Sequence, residues 1–275
     1  MTFDNILNFK IMKKNIFKIL AAVVVCGLLM TLFIQCNREE EETENPVTDN
    51  VRLTQIYRES IDTVTGNLTL TTTMDLVWEE GLLKSDHASM YMAMYNTTVD
   101  IGEEHFYYSG NNCIEKHYLS LEQDIHEYYT YTGERMTSAV KVEKGDTTAK
   151  ATIHSYTDDG HVKSMTIQNI KYNYTTDYEF TWENGDMTSY RGHPVVPAGE
   201  DEIHTATYDN YPNVHIGKPL SDYIFAPAEM LVRGSKHNVV SDNNEYIYAN
   251  GRLVVERRKD HVVYYTFSDG TTGRP

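Results

Sequence analysis

Cysteine is close to absent. Cys26, Cys36 and Cys113 are the only three in 275 residues, and only Cys113 lies beyond residue 36, so no disulfide framework can be built there. The fold must be held by core burial and strand pairing, which about 200 residues can supply. Basic side chains are scarce as well: 24 Lys and Arg stand against 40 Asp and Glu, a net charge of −16. Lys10, Lys13, Lys14 and Lys18 fall in the first 35 residues with only Asp4, leaving 20 basic and 39 acidic residues beyond. A surface that acidic repels phosphate backbones, which argues against a nucleic-acid partner.

The usual marks of catalysis and metal binding are missing too. No His-Glu-x-x-His, Cys-x-x-Cys, Gly-x-Ser-x-Gly elbow or phosphate loop occurs, and the 11 His are scattered. Asp158-Asp159-Gly160 and Asp242-Asn243-Asn244-Glu245 lack calcium-loop spacing and read as turns. Cys113, just after Gly110-Asn111-Asn112, reads as a small buried side chain rather than a nucleophile. No catalytic residue, metal or cofactor is therefore assigned.

What is present begins at the start of the chain. Met12-Lys13-Lys14-Asn15 offers a second start and a basic patch, and Ile19 to Ile34 is 16 residues without a charge. A positive head and a short apolar run are the parts of a secretory signal, and a spanning helix needs about 20 apolar residues. Gln35-Cys36-Asn37-Arg38 follows, then Glu39 to Glu42, Thr43 and Glu44. A Cys closing the run resembles the lipobox of bacterial lipoproteins, with Gln35 where that family has Gly, Ala or Ser. The resemblance implies a signal over 1–35, lipid on Cys36 and a tether over 36–50. The Glu run is a solvated spacer by composition. It is also similar to the acidic tag that sends Bacteroidetes lipoproteins to the outer face of the outer membrane. Several acyl chains, at about 0.8 kcal/mol per buried CH₂, would hold such a protein on a membrane.

From Val51 to Pro275 the chain reads as a single antiparallel β domain. Between Tyr172 and Trp182 every even position except Thr176 is aromatic and every odd one polar, the period of a half-buried strand. Asn184-Gly185 then supplies a hairpin turn. That turn pairs Trp182 with Met187 and predicts Phe180 opposite Ser189. Asn250-Gly251 likewise pairs Tyr248 with Leu253 and predicts Tyr246 opposite Val255. Glu80-Gly81 sets Trp78 against Leu83, and Asp158-Asp159-Gly160 sets Tyr156 against Val162. Turns that repeatedly face an aromatic with an apolar residue specify register by burial.

Glycines at 81, 110, 133, 160, 185, 251 and 270 are mostly spaced near 25 residues, the length of two strands and two turns. The one long gap holds Pro194, Pro197, Pro212, Pro219 and Pro227. It predicts loops and edge pieces, with a short helix near 220–232. The fold class is all-β: serial hairpins forming a curled sheet or half-open barrel.

Hairpins such as Tyr246 to Val255 resemble the YD-type repeats of secreted bacterial proteins. The longer arrangement is similar to a Bacteroidetes lipoprotein family of unknown function with a porin-like β fold. The residues carrying this are Thr207-Tyr208-Asp209-Asn210-Tyr211-Pro212-Asn213, Gly234-Ser235-Lys236-His237-Asn238, the hairpin Glu245 to Val255 and the strand Val262 to Phe267. The match spans roughly 50–272 and brings no catalytic residues with it. A lipid-anchored, outer-membrane, surface-facing monomer follows as the expectation, with a non-catalytic role in binding a glycan, a lipid or an envelope protein. Tyr172, Tyr174, Tyr178, Trp182, Tyr246 and Tyr248 are either core aromatics or the stacking surface of a ligand cleft. Two alternatives stay open: a glycan- or lipid-directed hydrolase using carboxylates in the barrel mouth, and an outer-membrane pore. An aromatic rather than aliphatic strand face argues against lipid contact along the strands.

Overall fold

The computed structural model describes residues 51–274 apart from 216, 217 and 242. The leader, the Glu run and Cys36 lie outside the described residues. The chain meanders through β1 (Leu53–Ile61), β2 (Leu68–Glu79), β3 (Leu82–Met92), β4 (Thr97–Ser109), β5 (Asn112–Leu119) and β6 (Asp124–Thr132). It continues with β7 (Arg135–Glu143), β8 (Asp146–Tyr156), β9 (Val162–Asn169), β10 (Tyr174–Glu183), β11 (Asp186–Val196) and β12 (Glu202–Thr205). A different pattern follows: β13 (Thr207–Pro212), helix α1 (Pro227–Arg233) and β14 (His237–Val240). The closing strands are β15 (Glu245–Ala249), β16 (Arg252–Arg257) and β17 (His261–Phe267).

Fifteen strands form one antiparallel sheet in which β17 returns to pair with β1, and β12 and β15 are its free edges. The sheet is not closed into a barrel. β13 and β14 pair with each other as a separate ribbon. The predicted helix is present as a 3₁₀ turn at Leu220–Asp222 and as α1, with Pro227 in its first turn, where a missing N–H costs nothing.

A module repeats along the meander. Trp78, Tyr108, Tyr131, Tyr156 and Trp182 each sit next to a β-bulge, just before their hairpin turn. Each faces a buried residue across the turn: Leu83, Cys113, Met136, Val162 and Met187 in order. Each ring also donates to the backbone carbonyl belonging to the preceding module's buried residue. Tyr108 reaches Leu83 at 2.9 Å, Tyr131 reaches Cys113 at 2.8 Å, Tyr156 reaches Met136 at 2.5 Å and Trp182 reaches Val162 at 2.8 Å. Trp78 opens the relay on Leu53 at 2.7 Å, and Tyr208 closes it on Met187 at 2.6 Å. Each step buries an aromatic body and satisfies its polar tip.

The bulges also correct two expectations. Each adds one residue beyond the aromatic pair, so Phe180 faces Tyr190 rather than Ser189, and Tyr246 faces Glu256 rather than Val255.

The space enclosed by the curled sheet holds residues 213–215 and 218–235. Val214, Ile224, Met230 and Leu231 are buried there. The Ser221 carbonyl accepts from Tyr129 of β6, and Ser235 Oγ accepts from the Met187 backbone N–H of β11.

Candidate functional site

Charge is built into that packing. Lys116 Nζ of β5 lies 3.5 Å from each of Glu104, Glu127 and Asp222. Asp222 also meets Lys218 at 3.4 Å and Arg233 at 3.8 Å, and Lys218 meets Asp86 of β3 at 3.7 Å. Lys141 of β7 approaches Glu127 at 3.0 Å, and Arg233 approaches Glu229 at 2.7 Å. Tyr129 Oη donates within 2.8 Å of Glu127.

Five carboxylates therefore face four cations, and the environment separates their acidities. Burial would raise the Asp222 carboxyl, but Lys218, Lys116 and Arg233 outweigh it and hold the group well below the carboxylate range. Burial likewise acts to raise Glu127, and Lys116 and Lys141 bring it down. At Glu104 burial wins against Lys116, pushing the carboxyl up to about 7. Asp86 is also raised by burial, with Lys218 opposing. The excess acid is thus accommodated mainly at Glu104, whose side chain is about a quarter exposed while that of Asp222 is 4% exposed.

Carboxyls with acidities pushed apart are what acid–base catalysis uses. Here, however, each faces a cation of the plug or the sheet, and the plug's own apolar side chains fill the space beside them. The arrangement ties the plug to β3 through Lys218, to β5 through Asp222 and to β6 through Ser221, and links β4 and β7 to the same cluster through Glu104 and Lys141.

A second knot lies between β11 and β15. Asp209 accepts from Tyr248 Oη at 2.6 Å, Tyr211 N at 2.9 Å, Asn238 Nδ2 at 3.0 Å and Asn238 N at 3.1 Å. Asp186 of β11 accepts from the His237 backbone N at 2.9 Å and ring Nδ1 at 2.7 Å. The β13–β14 ribbon is thereby fixed to β11 on one side and to β15 on the other. The two segments singled out in the sequence, Thr207 to Asn213 and Gly234 to Asn238, meet here.

The six aromatics do not form one cleft. Tyr172 is in the β9–β10 turn rather than in the strand and is 69% exposed, and Tyr174 is exposed at the strand's first position. Tyr178 packs on Phe180 and Tyr190. Trp182 belongs to the relay, with His161 stacked on it at 4.2 Å. Tyr246 Oη accepts from Ser241 N at 2.8 Å, and Tyr248 stacks on Tyr211 at 4.1 Å.

The meander sends alternate turns to opposite ends, and the two ends differ. One carries the glycine turns at 81, 110, 133, 160, 185 and 251 with their Glu, Asp and Asn residues. At Asn184-Gly185 both residues have φ > 0, at 54° and 89°, as a tight hairpin requires. The other end carries exposed apolar side chains: Val64 at 92%, Met94 at 84%, Leu121 at 82% and Tyr172, with Ile170 and Val196 beside them. Beside Leu121, a shallow hollow of about 540 Å³ is lined by Leu119, Glu122, Asp124 and Lys144 among others.

The convex face of the sheet carries ion pairs beside exposed apolar side chains. Arg191 pairs with Glu179 at 2.6 Å, His87 with Asp100 at 3.2 Å and His126 with Glu115 at 2.8 Å, and Val77, Tyr107 and Tyr128 are exposed among them. Among the described residues no helix is long and apolar enough to cross a membrane.

Fold and packing together define an open antiparallel β-meander wrapped around an internal plug. The chain matches no protein-family model and no curated protein. It is similar in fold to a porin-like protein from Bacteroides uniformis, with a TM-score of 0.52 at 12% identity. That alignment covers 78% of this chain and 98% of the other. The likeness supports the porin-like β fold expected from the sequence.

Proposed function

We propose that this is a lipid-anchored envelope protein with a binding role and no catalysis of its own, seated on a lipid surface by its apolar-tipped end. The observation that carries this is the gathering of Val64, Met94, Leu121 and Tyr172 on separate turns at one end. Single apolar side chains standing free on separate turns suit insertion at a headgroup boundary, and Tyr is favoured at that depth. The anchor fits the same picture. Fourteen residues separate Cys36 from Val51, a reach of up to about 50 Å when extended. β1 starts at the glycine end, and a strand of its sheet is roughly 35 Å long, so the tether can run the length of the domain.

A conducting pore is the reading favoured by the porin-like neighbour. Against it stand the ion pairs of the convex face, since Lys or Arg facing lipid costs about 2–4 kcal/mol at mid-bilayer, and the plug that fills the interior.

Two measurements test the proposal. Intact mass of the native protein should show Cys36 as an acylated first residue; a retained leader or a bare thiol removes the anchor. A Cys36→Ser protein should co-float weakly with phosphatidylethanolamine vesicles and lose this on Met94→Asp with Leu121→Asp. Flotation equal in both proteins, or in neither, removes the seating.

A further inference from the structure

Glu115 and His117 of β5, and Asp124 and His126 of β6, alternate with inward-facing residues and so share the convex face. Register places His117 directly opposite His126, as it places Lys116 opposite Glu127 inside. The two imidazoles lie parallel, centroids 4.0 Å apart. Both present Nε2 to one oxygen: His117 at 2.9 Å and His126 at 3.3 Å from Asp124 Oδ1. His126 Nδ1 lies 2.8 Å from Glu115 Oε1.

These contacts leave a conflict of protons. The bond to Glu115 places a hydrogen on His126 Nδ1, so in the neutral ring Nε2 carries a lone pair. That lone pair and the Asp124 carboxylate face one another at 3.3 Å, the disposition of two ligands to a shared cation. A carboxylate holding the far nitrogen of a ligating imidazole is the usual outer partner of a metal site.

We propose that His117 Nε2, His126 Nε2 and Asp124 form a surface site for a divalent ion of the zinc and copper class, with Glu115 orienting His126. Two imidazoles and one carboxylate are a donor set for these ions. The three ligand atoms lie within 4.8 Å of one another. An ion with tetrahedral bonds near 2.0–2.2 Å holds its ligand atoms roughly 3.3 Å apart, so the separations of 2.9 and 3.3 Å from Asp124 to the two imidazoles already match that spacing to within a small rotation of exposed side chains. Positions left open on the ion would face solvent. The ligand set makes no use of the lipid seating, although Asp124 also lines the hollow beside Leu121.

The four residues match none of the familiar metal motifs, because they lie on two strands, with His117 and Asp124 seven residues apart. Their signature is strand spacing, Glu-x-His followed by Asp-x-His across a hairpin.

Titration calorimetry of the purified protein with Zn²⁺ should give one saturable equivalent. Affinity should fall at least tenfold in His117→Ala and in His126→Ala, and about tenfold in Glu115→Gln. His87→Ala, whose ring pairs with Asp100 alone on the same face, should change nothing. Cu²⁺ added to the unaltered protein should broaden the ring resonances of His117 and His126 before those of any other His, a readout that needs no variant. Absence of a saturable equivalent, unchanged affinity in both His variants, or first broadening at another His would overturn the assignment.

Discussion

Trp182 Nε1 donates to the carbonyl oxygen of Val162 across 2.8 Å, and Val162 is the residue that faces Tyr156 in the preceding hairpin. The bond joins consecutive modules, because Tyr156 in turn reaches the carbonyl of Met136. Cations cover several of these rings: Arg52 over Trp78, Lys84 over Tyr108 and Arg135 over Tyr156. Each module thus buries little by itself and gains its order from the one before. A long meander of short hairpins can hold one register on this basis.

The relay predicts a graded response at Tyr131. Tyr131→Phe removes only the bond to Cys113 and should cost about 1 kcal/mol. Tyr131→Ala also removes the ring and should cost roughly 3–5 kcal/mol. Tyr128→Phe, on the convex face one module position away, should stay within about 0.5 kcal/mol. Urea denaturation monitored by tryptophan fluorescence reads all three, and equal costs for Tyr131→Phe and Tyr128→Phe would rule out a stabilising relay.

Much of this was legible in the sequence, for a physical reason. Tight turns have strict chemistry, so Asn184-Gly185 and Asn250-Gly251 disclosed their hairpins, and the pairs nearest each turn followed. Beyond the first pair, the bulges added a residue that no local signal marks, and register slipped by one at Phe180 and Tyr246. The aromatics between Tyr172 and Trp182 alternate, but alternation places residues on a face without saying what meets them. Lys116 and Asp222 are 106 positions apart; neither sits in a motif, and only the curl of the sheet joins them. The stretch richest in Pro, expected to be loops, proved to supply the interior plug.

Asp222 is the centre of that plug's charge. Asp222→Asn would leave Lys116, Lys218 and Arg233 facing one another with a counter-charge removed. Breaking a buried pair in this way costs roughly 3–5 kcal/mol. Replacing Lys218 by Met and Asp222 by Leu together should cost less than the sum of Lys218→Met and Asp222→Leu, because each single change strands the other's charge, while Asp86 loses its cation in both the single and the double variant. A double-mutant cycle in urea measures the coupling, and purely additive losses would count against the network acting as a unit.

Glu104 gives the pH dependence its sign. Its acidity is pushed up to about 7 by burial, from 4.5 in the unfolded chain. Between those values the folded state binds more protons, so this group favours folding at low pH and disfavours it as pH rises through 7. Asp222 acts oppositely. Its carboxyl is held below the ordinary range, so its contribution is present above the unfolded value of 3.8 and is lost as pH falls through the folded one. The buried His215 and His261 oppose Glu104 over part of this range: burial holds both below the ordinary imidazole value, so each adds stability as pH rises toward that value. Glu104→Gln should therefore shift the slope of stability against pH upward between pH 5 and 8, by on the order of 1–3 kcal/mol over the range, and leave the acid limb in place. Chemical denaturation at stepped pH checks both limbs, and an unchanged slope in Glu104→Gln would remove the assignment.

The ribbon between β11 and β15 should open before the sheet does. Few apolar residues back it, and its hold rests on Asp209, whose four donors come from Tyr211, Asn238 and Tyr248. Asp209→Ala uncovers those donors together, and at about 1–3 kcal/mol for each buried donor left unmade the ribbon would lose most of its own stability. Tyr248→Phe removes one bond and keeps the stack on Tyr211, so it should be the milder change, about 1 kcal/mol. Because opening of this kind is local, the losses should appear in hydrogen exchange as faster amides at Tyr208, Val239 and Val240. Amides of β6 and β8, held by strands on both sides, should keep their rates. If Asp209→Ala instead speeds exchange uniformly through the sheet, the ribbon is part of the global folding unit and closes the sheet rather than merely lying across its open side.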